Sequence, residues 1–269
     1  MKIRYILLII IACGMLSCQK KNIDILGLEK SNKPMGELYQ LKVFTFKSDS
    51  QVNMTDTYLR DAFLPAMKRM GHNNVGVFKQ RRNAPDSIQK TFVLIPFSNL
   101  NQILKLEEEL SKDKNYLENG DSYINTSFDK PPYSRIETII LKAFEGMPAL
   151  KPTVVNGIRS ERIYELRSYE SATEHYNKSK VDMFNAGGEI KLFDRLGFNA
   201  VFFGEVISGP KMPNLMYMTS FTDMAGRDAH WKTFVEDPEW GKLKVIPKYL
   251  NTVSHIDIYF LTPTEYSDY

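Results

Sequence analysis

The chain has 269 residues, 43% of them hydrophobic and 25% charged, with a formal net charge of +3. That is ample material for a core, and aromatic and β-branched residues recur throughout, which excludes disorder as the main state. The near-neutral balance and the lack of a basic tract exclude a nucleic-acid footprint.

At the N-terminus, Lys2 and Arg4 precede an apolar run, Tyr5 to Leu16, that is short for a membrane span. This is the pattern of a signal peptide, residues 1–17. It ends in Ser17-Cys18, which resembles a bacterial lipobox with Cys18 as the lipidated residue. Cys13 is a rival, disfavoured because it leaves an apolar stretch at the low end of the usual range; an ordinary signal peptide or an N-terminal membrane helix is the plainer alternative. Export would leave a body of formal charge +1, because Lys2 and Arg4 depart with the leader. The only cysteines are Cys13 and Cys18, so the body offers no disulfide, thiolate nucleophile or cysteine ligand. Residues 18–36 read as a tether. The expected location is the cell envelope, attached to membrane by lipid and facing the periplasm rather than the exterior.

Beyond the tether the chain is written twice. Leu38-Tyr-Gln-Leu41 matches Ile163-Tyr-Glu-Leu166, and Gly71-His-Asn73-Asn-Val75 matches Gly197-Phe-Asn199-Ala-Val201. Leu59, Phe63, Met67 and Met70 recur at helical spacing in the first copy; Val181, Phe184, Leu192 and Leu196 do so in the second. Gly71 and Gly197 are placed to end those helices. Strands follow near 75–79 and 91–97, and again near 200–206 and 215–221. Ser98, and Thr222 or Asp223, are the expected caps of helices at 100–110 and 224–235. Closing strands lie near 135–144 and 253–260, and 145–160 reads as a linker rich in glycine and proline.

Each copy, 37–144 and 161–269, therefore reads β-α-β-β-α-β. The fold class is α+β: two tandem ferredoxin-like units packed sheet-to-sheet as a pseudo-dimeric α/β barrel. Strand alternation splits Tyr39, Leu41 and Val43 from Gln40, Lys42 and Phe44, and Tyr164, Leu166 and Ser168 from Glu165, Arg167 and Tyr169. The more apolar sets are expected under the helices and the polar sets between the sheets. There they would meet His255, Asp257 and Tyr259, with Arg167–Asp257 or Glu165–His255 as cross-strand pairs. These eight polar and aromatic residues, Gln40, Lys42, Glu165, Arg167, Tyr169, His255, Asp257 and Tyr259, either seal the interface with ion pairs or line a ligand cavity. If the protein is an enzyme, His255 or Glu165 is the candidate base. No phosphate loop, nucleophile elbow or metal-binding helix motif is present, and no metal or other cofactor is expected.

Four motifs occur in order in the second copy: Tyr164-Glu-Leu-Arg-Ser-Tyr169, Gly204-Glu205 with Gly209-Pro210, Arg227-Asp-Ala-His-Trp231, and Asp237-Pro-Glu-Trp240. Together they resemble the NIPSNAP family over roughly 161–262; the first copy resembles it in outline, with Asp113-Lys-Asn-Tyr116 where the second has Asp-Pro-Glu-Trp. The resemblance implies a dimeric α/β barrel related to small monooxygenases and assigns no reaction. Arg227, His230, Trp231 and Phe234 share a helix face; the plain reading buries Trp231 and Phe234 and leaves Arg227 and His230 at the rim. Asp237 then ends the helix and Trp240 packs over it. Three functions compete. One is a lipid-anchored protein binding a small apolar or aromatic ligand or a protein partner. Another is a cofactor-free oxygenase or isomerase. The third is an assembly role, with envelope partners or homo-oligomers.

Overall fold

The computed structural model describes residues 36–81, 88–151 and 155–269. The expected signal peptide, Cys13, Cys18 and the expected tether before Gly36 lie outside the described residues, as do 152–154 of the expected linker. No helix among the described residues is long and apolar enough to cross a membrane.

Eight antiparallel strands close into a barrel in the order β1-β3-β2-β8-β5-β7-β6-β4. They are β1 (Leu38–Phe46), β2 (Gly76–Gln80), β3 (Gln89–Phe97), β4 (Arg135–Ala143), β5 (Ile163–Glu170), β6 (Asn199–Ser208), β7 (Asn214–Phe221) and β8 (His255–Pro263). The first four strands stand as β4-β1-β3-β2 and the last four as β8-β5-β7-β6, the same order in each half. The halves join edge to edge, through Lys79↔Thr262 between β2 and β8 and Lys142↔Glu205 between β4 and β6. Both joins are short: β2 meets β8 through Phe78, Lys79 and Gln80, and β4 meets β6 through Ile140, Leu141, Lys142 and Ala143.

Helices cover the outside. In the first half these are α1 (Asp49–Tyr58), a π-helical turn (Leu59–Phe63), α2 (Leu64–Arg69), α3 (Leu100–Leu110) and α4 (Lys114–Ile124). In the second they are α5 (Glu174–Phe184), α6 (Glu189–Arg195), α7 (Met224–Glu236) and α8 (Pro238–Leu243). The π turn has a local cause. Pro65 cannot donate to the carbonyl of Asp61 and its ring crowds that turn, and just before it the Leu64 N–H bonds back five residues to Leu59. Gly71 and Gly197 end their helices at φ 82° and 74°, a region a Cβ disfavours.

The caps repeat with the strands. Ser48 and Thr173 open α1 and α5; Asn99 and Asp223 open α3 and α7; Asp113 and Asp237 open α4 and α8. Asn99 therefore replaces the expected Ser98, its side chain accepting from the Gln102 N–H. Asp223→Ala is expected to cost about 1 kcal/mol in urea unfolding, the usual worth of a lone N-cap.

The sheet faces correct the sequence reading. The barrel interior is filled by Tyr39, Leu41, Phe78, Leu94, Leu141, Tyr164, Leu166, Phe202, Met218 and Leu261, all fully buried. Gln40, Lys42 and Phe44, with Glu165, Arg167 and Tyr169, lie on the opposite face, under the helices. The physical reason is dehydration. A closed barrel of eight strands leaves no route for water or partners to a buried charge, so the most apolar rows go there. The helix layer can carry polar partners on its own inner side.

Candidate functional site

Glu165 is the centre of the second half. Its carboxylate is fully buried and receives four N–H groups: Arg167 Nε at 2.6 Å, Arg227 Nε at 2.8 Å, a second Arg227 nitrogen at 2.9 Å, and Trp231 Nε1 at 2.7 Å. The Arg167 guanidinium lies 3.7 Å from the centre of the Trp231 ring and donates to Tyr169 Oη, which is 2.8 Å from Tyr217 Oη. Burial pushes the Glu165 carboxyl up, but the Arg227 bond and the two guanidinium charges outweigh it and hold it below the usual range. A carboxylate saturated in this way is not available as a general base.

Arg227 thus reaches inward to Glu165 rather than staying at the rim. His230 holds the Gly226 carbonyl at 2.7 Å with its ring edge-on to Phe198. Asp237 ends α7, caps α8 and pairs with Arg195, and Trp240 packs 4.6 Å from Phe234. Lys180 and Glu189 form another buried pair at 2.8 Å, close to Tyr169 and Trp240. Phe184, Phe193, Phe198, Phe203, Tyr217 and Phe234 fill the rest of this layer.

His255, Asp257 and Tyr259 sit on the other face, toward one mouth of the barrel. The register pairs Arg167 with Ile258, Glu165 with Phe260, and Asp257 with Ser168, so neither expected cross-strand pair forms. An offset of one residue is enough to separate the two sets across the sheet. Glu170, His255 and Asp257 lie within 4.8 Å of one another. The Lys211 ammonium bonds to Asp257 and lies 3.8 Å from Glu170, occupying the place a cation would take. The recess beside them measures about 40 Å³, little more than one water. Of the residues expected to line a cavity between the sheets, Asp257 and Tyr259 border only this small recess.

A cavity of about 380 Å³ lies elsewhere, between the first-half sheet and its helices. Phe44, Tyr58, Phe63, Tyr116, Tyr123 and Tyr133 wall it, with Lys42 and Glu107 as its charged groups. Tyr58 Oη and Tyr116 Oη are 3.0 Å apart, and the Tyr58 and Tyr123 rings stack at 3.8 Å. Burial, then the neighbouring Tyr116, pushes the Tyr58 hydroxyl well above the ordinary phenol range; burial does the same for Tyr123. Both remain protonated donors. The π turn supplies Leu59 and Phe63, and π-helical insertions are frequent at functional sites.

The helix caps show what differs at this place between the halves; the second half has a recess of its own, about 350 Å³, farther along beside Ile190, Phe198 and Phe203. Counting from Asn99 and Asp223, Ile103 takes the place of Arg227 and Glu107 that of Trp231. Lys42 stands where the other half has Arg167, and Gln40 where it has Glu165. The indole that fills the second half is thus replaced by a carboxylate whose side chain is 75% exposed, 3.5 Å from Lys42. The Gln40 carbonyl, buried where Glu165 receives four donors, has no partner among the described residues. A larger recess, about 450 Å³, borders α6 and α8, but it is a surface feature whose Arg195 is already paired with Asp237 and Glu239.

Residues 164–268 match the sequence profile of the NIPSNAP family. No curated protein sequence matches the chain. Among solved structures, a candidate monooxygenase from Lactobacillus acidophilus is 10% identical, aligning over 85% of this chain and 94% of its own with a TM-score of 0.53. An anthrone oxidase-like protein is 9% identical over 86% of this chain and 92% of its own, at 0.50. A NIPSNAP family protein of Agrobacterium tumefaciens is 20% identical over 41% of this chain and 96% of its own, at 0.33. The first two share the fold: a mixed α/β architecture around an eight-stranded antiparallel barrel.

Proposed function

We propose, from the match of residues 164–268 to the NIPSNAP family and from the eight-stranded barrel, that the protein binds a small aromatic ligand in the first-half cavity. The duplicated strand order supports reading the halves as tandem ferredoxin-like units, a pseudo-dimer within one chain. In this reading the family motifs of the second unit have become a structural lock, and the first unit keeps the open site. The observation that carries it is the cavity of about 380 Å³ walled by aromatic rings where the other unit holds Trp231. Its size and its few convergent polar groups suit a small-molecule site. Lipid attachment at Cys18 and a periplasm-facing location belong to the same proposal and rest on the N-terminal sequence pattern. Membrane fractionation with and without Cys18→Ser tests them.

Glu107→Trp restores the residue that fills the other unit. With the neutral fluorophore N-phenyl-1-naphthylamine as probe, the full chain is expected to bind and the variant to bind at least tenfold more weakly, with an unchanged melting temperature. Equal affinity in the two proteins would remove the cavity as the site. Native mass spectrometry of the purified chain offers a second check, through a co-purified small molecule that the variant lacks.

A cofactor-free oxygenase reading of the same cavity draws on neighbours described as a candidate monooxygenase and an anthrone oxidase-like protein. Oxygen uptake with a phenolic anthrone as substrate tests it, and absence of uptake above the Glu107→Trp background leaves binding as the function. Neither proposed base supports it: Glu165 is saturated, and His255 lies on the other face of the sheet, at the barrel mouth.

A further inference from the structure

Resting on the cavity reading above, we infer that the ligand is an aromatic acid, held by its carboxylate against Lys42. Six aromatic side chains wall the cavity together with aliphatic ones such as Leu59, Val93 and Ile136, which suits a flat ring system as the body of the ligand. The charged floor is what selects among such rings. Lys42 projects from β1 under the helices, its side chain 15% exposed, with its ammonium 5.8 Å from the Phe63 ring centre. Its one ion-pair partner among the described residues is Glu107, at 3.5 Å.

That partner shows the chemistry the site takes. A carboxylate already stands beside the Lys42 ammonium, and Tyr58, Tyr116 and Tyr123 line the same cavity. Yet Glu107 is held loosely. Its side chain is mostly in solvent on α3, and an ion pair of that exposure is worth about 0–1 kcal/mol. A ligand carboxylate entering from the cavity side would be dehydrated by the aromatic walls, where a charge-assisted bond is stronger. It would replace Glu107 beside Lys42, and Glu107 would turn fully outward. No bond is made or broken; the exchange is of one ion pair for another. The second unit cannot do this, because Arg167 at the equivalent position is already committed to Glu165, Tyr169 and the Trp231 ring.

The test uses the full chain with two probes of one shape, 2-naphthoate and neutral 2-naphthamide, in calorimetric titrations. Naphthoate is expected to bind at least tenfold tighter than naphthamide. Lys42→Met should bring naphthoate down to the naphthamide level and leave naphthamide unchanged. Glu107→Gln should tighten naphthoate several-fold, because the internal competitor is gone. Equal affinity for the two probes, or an equal loss of both in Lys42→Met, overturns the charge selection while leaving the aromatic cavity as a site. Failure of both probes together with N-phenyl-1-naphthylamine overturns the cavity reading itself.

Discussion

Glu165→Ala is expected to destabilise the protein by about 3–5 kcal/mol, read as a lowered urea midpoint with little change in slope. The substitution leaves the Arg167 and Arg227 guanidiniums, with side chains 11% and 16% exposed, without their shared anion. It also leaves the Trp231 N–H without its acceptor. Uncompensated buried charge, rather than the lost volume, sets the size of the effect. Replacing all three charges at once, as Glu165→Leu, Arg167→Met and Arg227→Leu, should therefore cost less than Glu165→Ala alone. A triple variant as unstable as the single one would show that the cluster acts through packing instead. Acid gives the same contrast. The Glu165 carboxyl is held below its ordinary value of 4.5, so its contribution is complete above that pH and is lost as pH falls through the lower folded value. The wild-type curve should fall more steeply below about pH 4 than that of any variant lacking Glu165.

The cluster also marks the boundary of what the sequence discloses. Strand alternation in LYQLKVF and IYELRSY is plain to read, and so is the duplication. Which row faces the barrel is not, because both faces of these strands are covered and hydropathy alone does not rank a helix layer against a sealed interior. Arg167 is two residues from Glu165, but its other partners, Arg227 and Trp231, lie 62 and 66 residues away on α7, and no local pattern joins Tyr-Glu-Leu-Arg to the Arg/Trp helix. A signal for the cavity does exist. With Asn99 as the cap, the repeat sets Glu107 against Trp231; with Ser98 as the cap, the correspondence slips by one and the missing indole goes unnoticed. The π turn also has a sequence cause in Pro65, though a proline there predicts a kink more readily than an inserted residue.

Phe193→Ala, on α6, is the second large effect, about 3–5 kcal/mol. Phe193 is 1% exposed, and its ring lies within 4.6–6.4 Å of the rings of Phe184, Phe198, Phe203, Tyr217, Trp231 and Phe234. Six neighbours fixed in edge-on or tilted contact cannot all move into the space, so a cavity remains and its cost adds to the lost burial. Trp231 is among the six, and the same indole stacks on Arg167 and donates to Glu165. Loosening it weakens the ionic cluster, so the Phe193→Ala and Glu165→Ala effects should be less than additive in a double-mutant cycle. Tyr123→Ala in the first unit makes the comparison: its ring already borders an open cavity, and enlarging that cavity removes contacts on one side only. Its cost should be clearly smaller than that of Phe193→Ala. Equal costs would mean that the first-unit cavity closes in solution, and that the two units are packed alike.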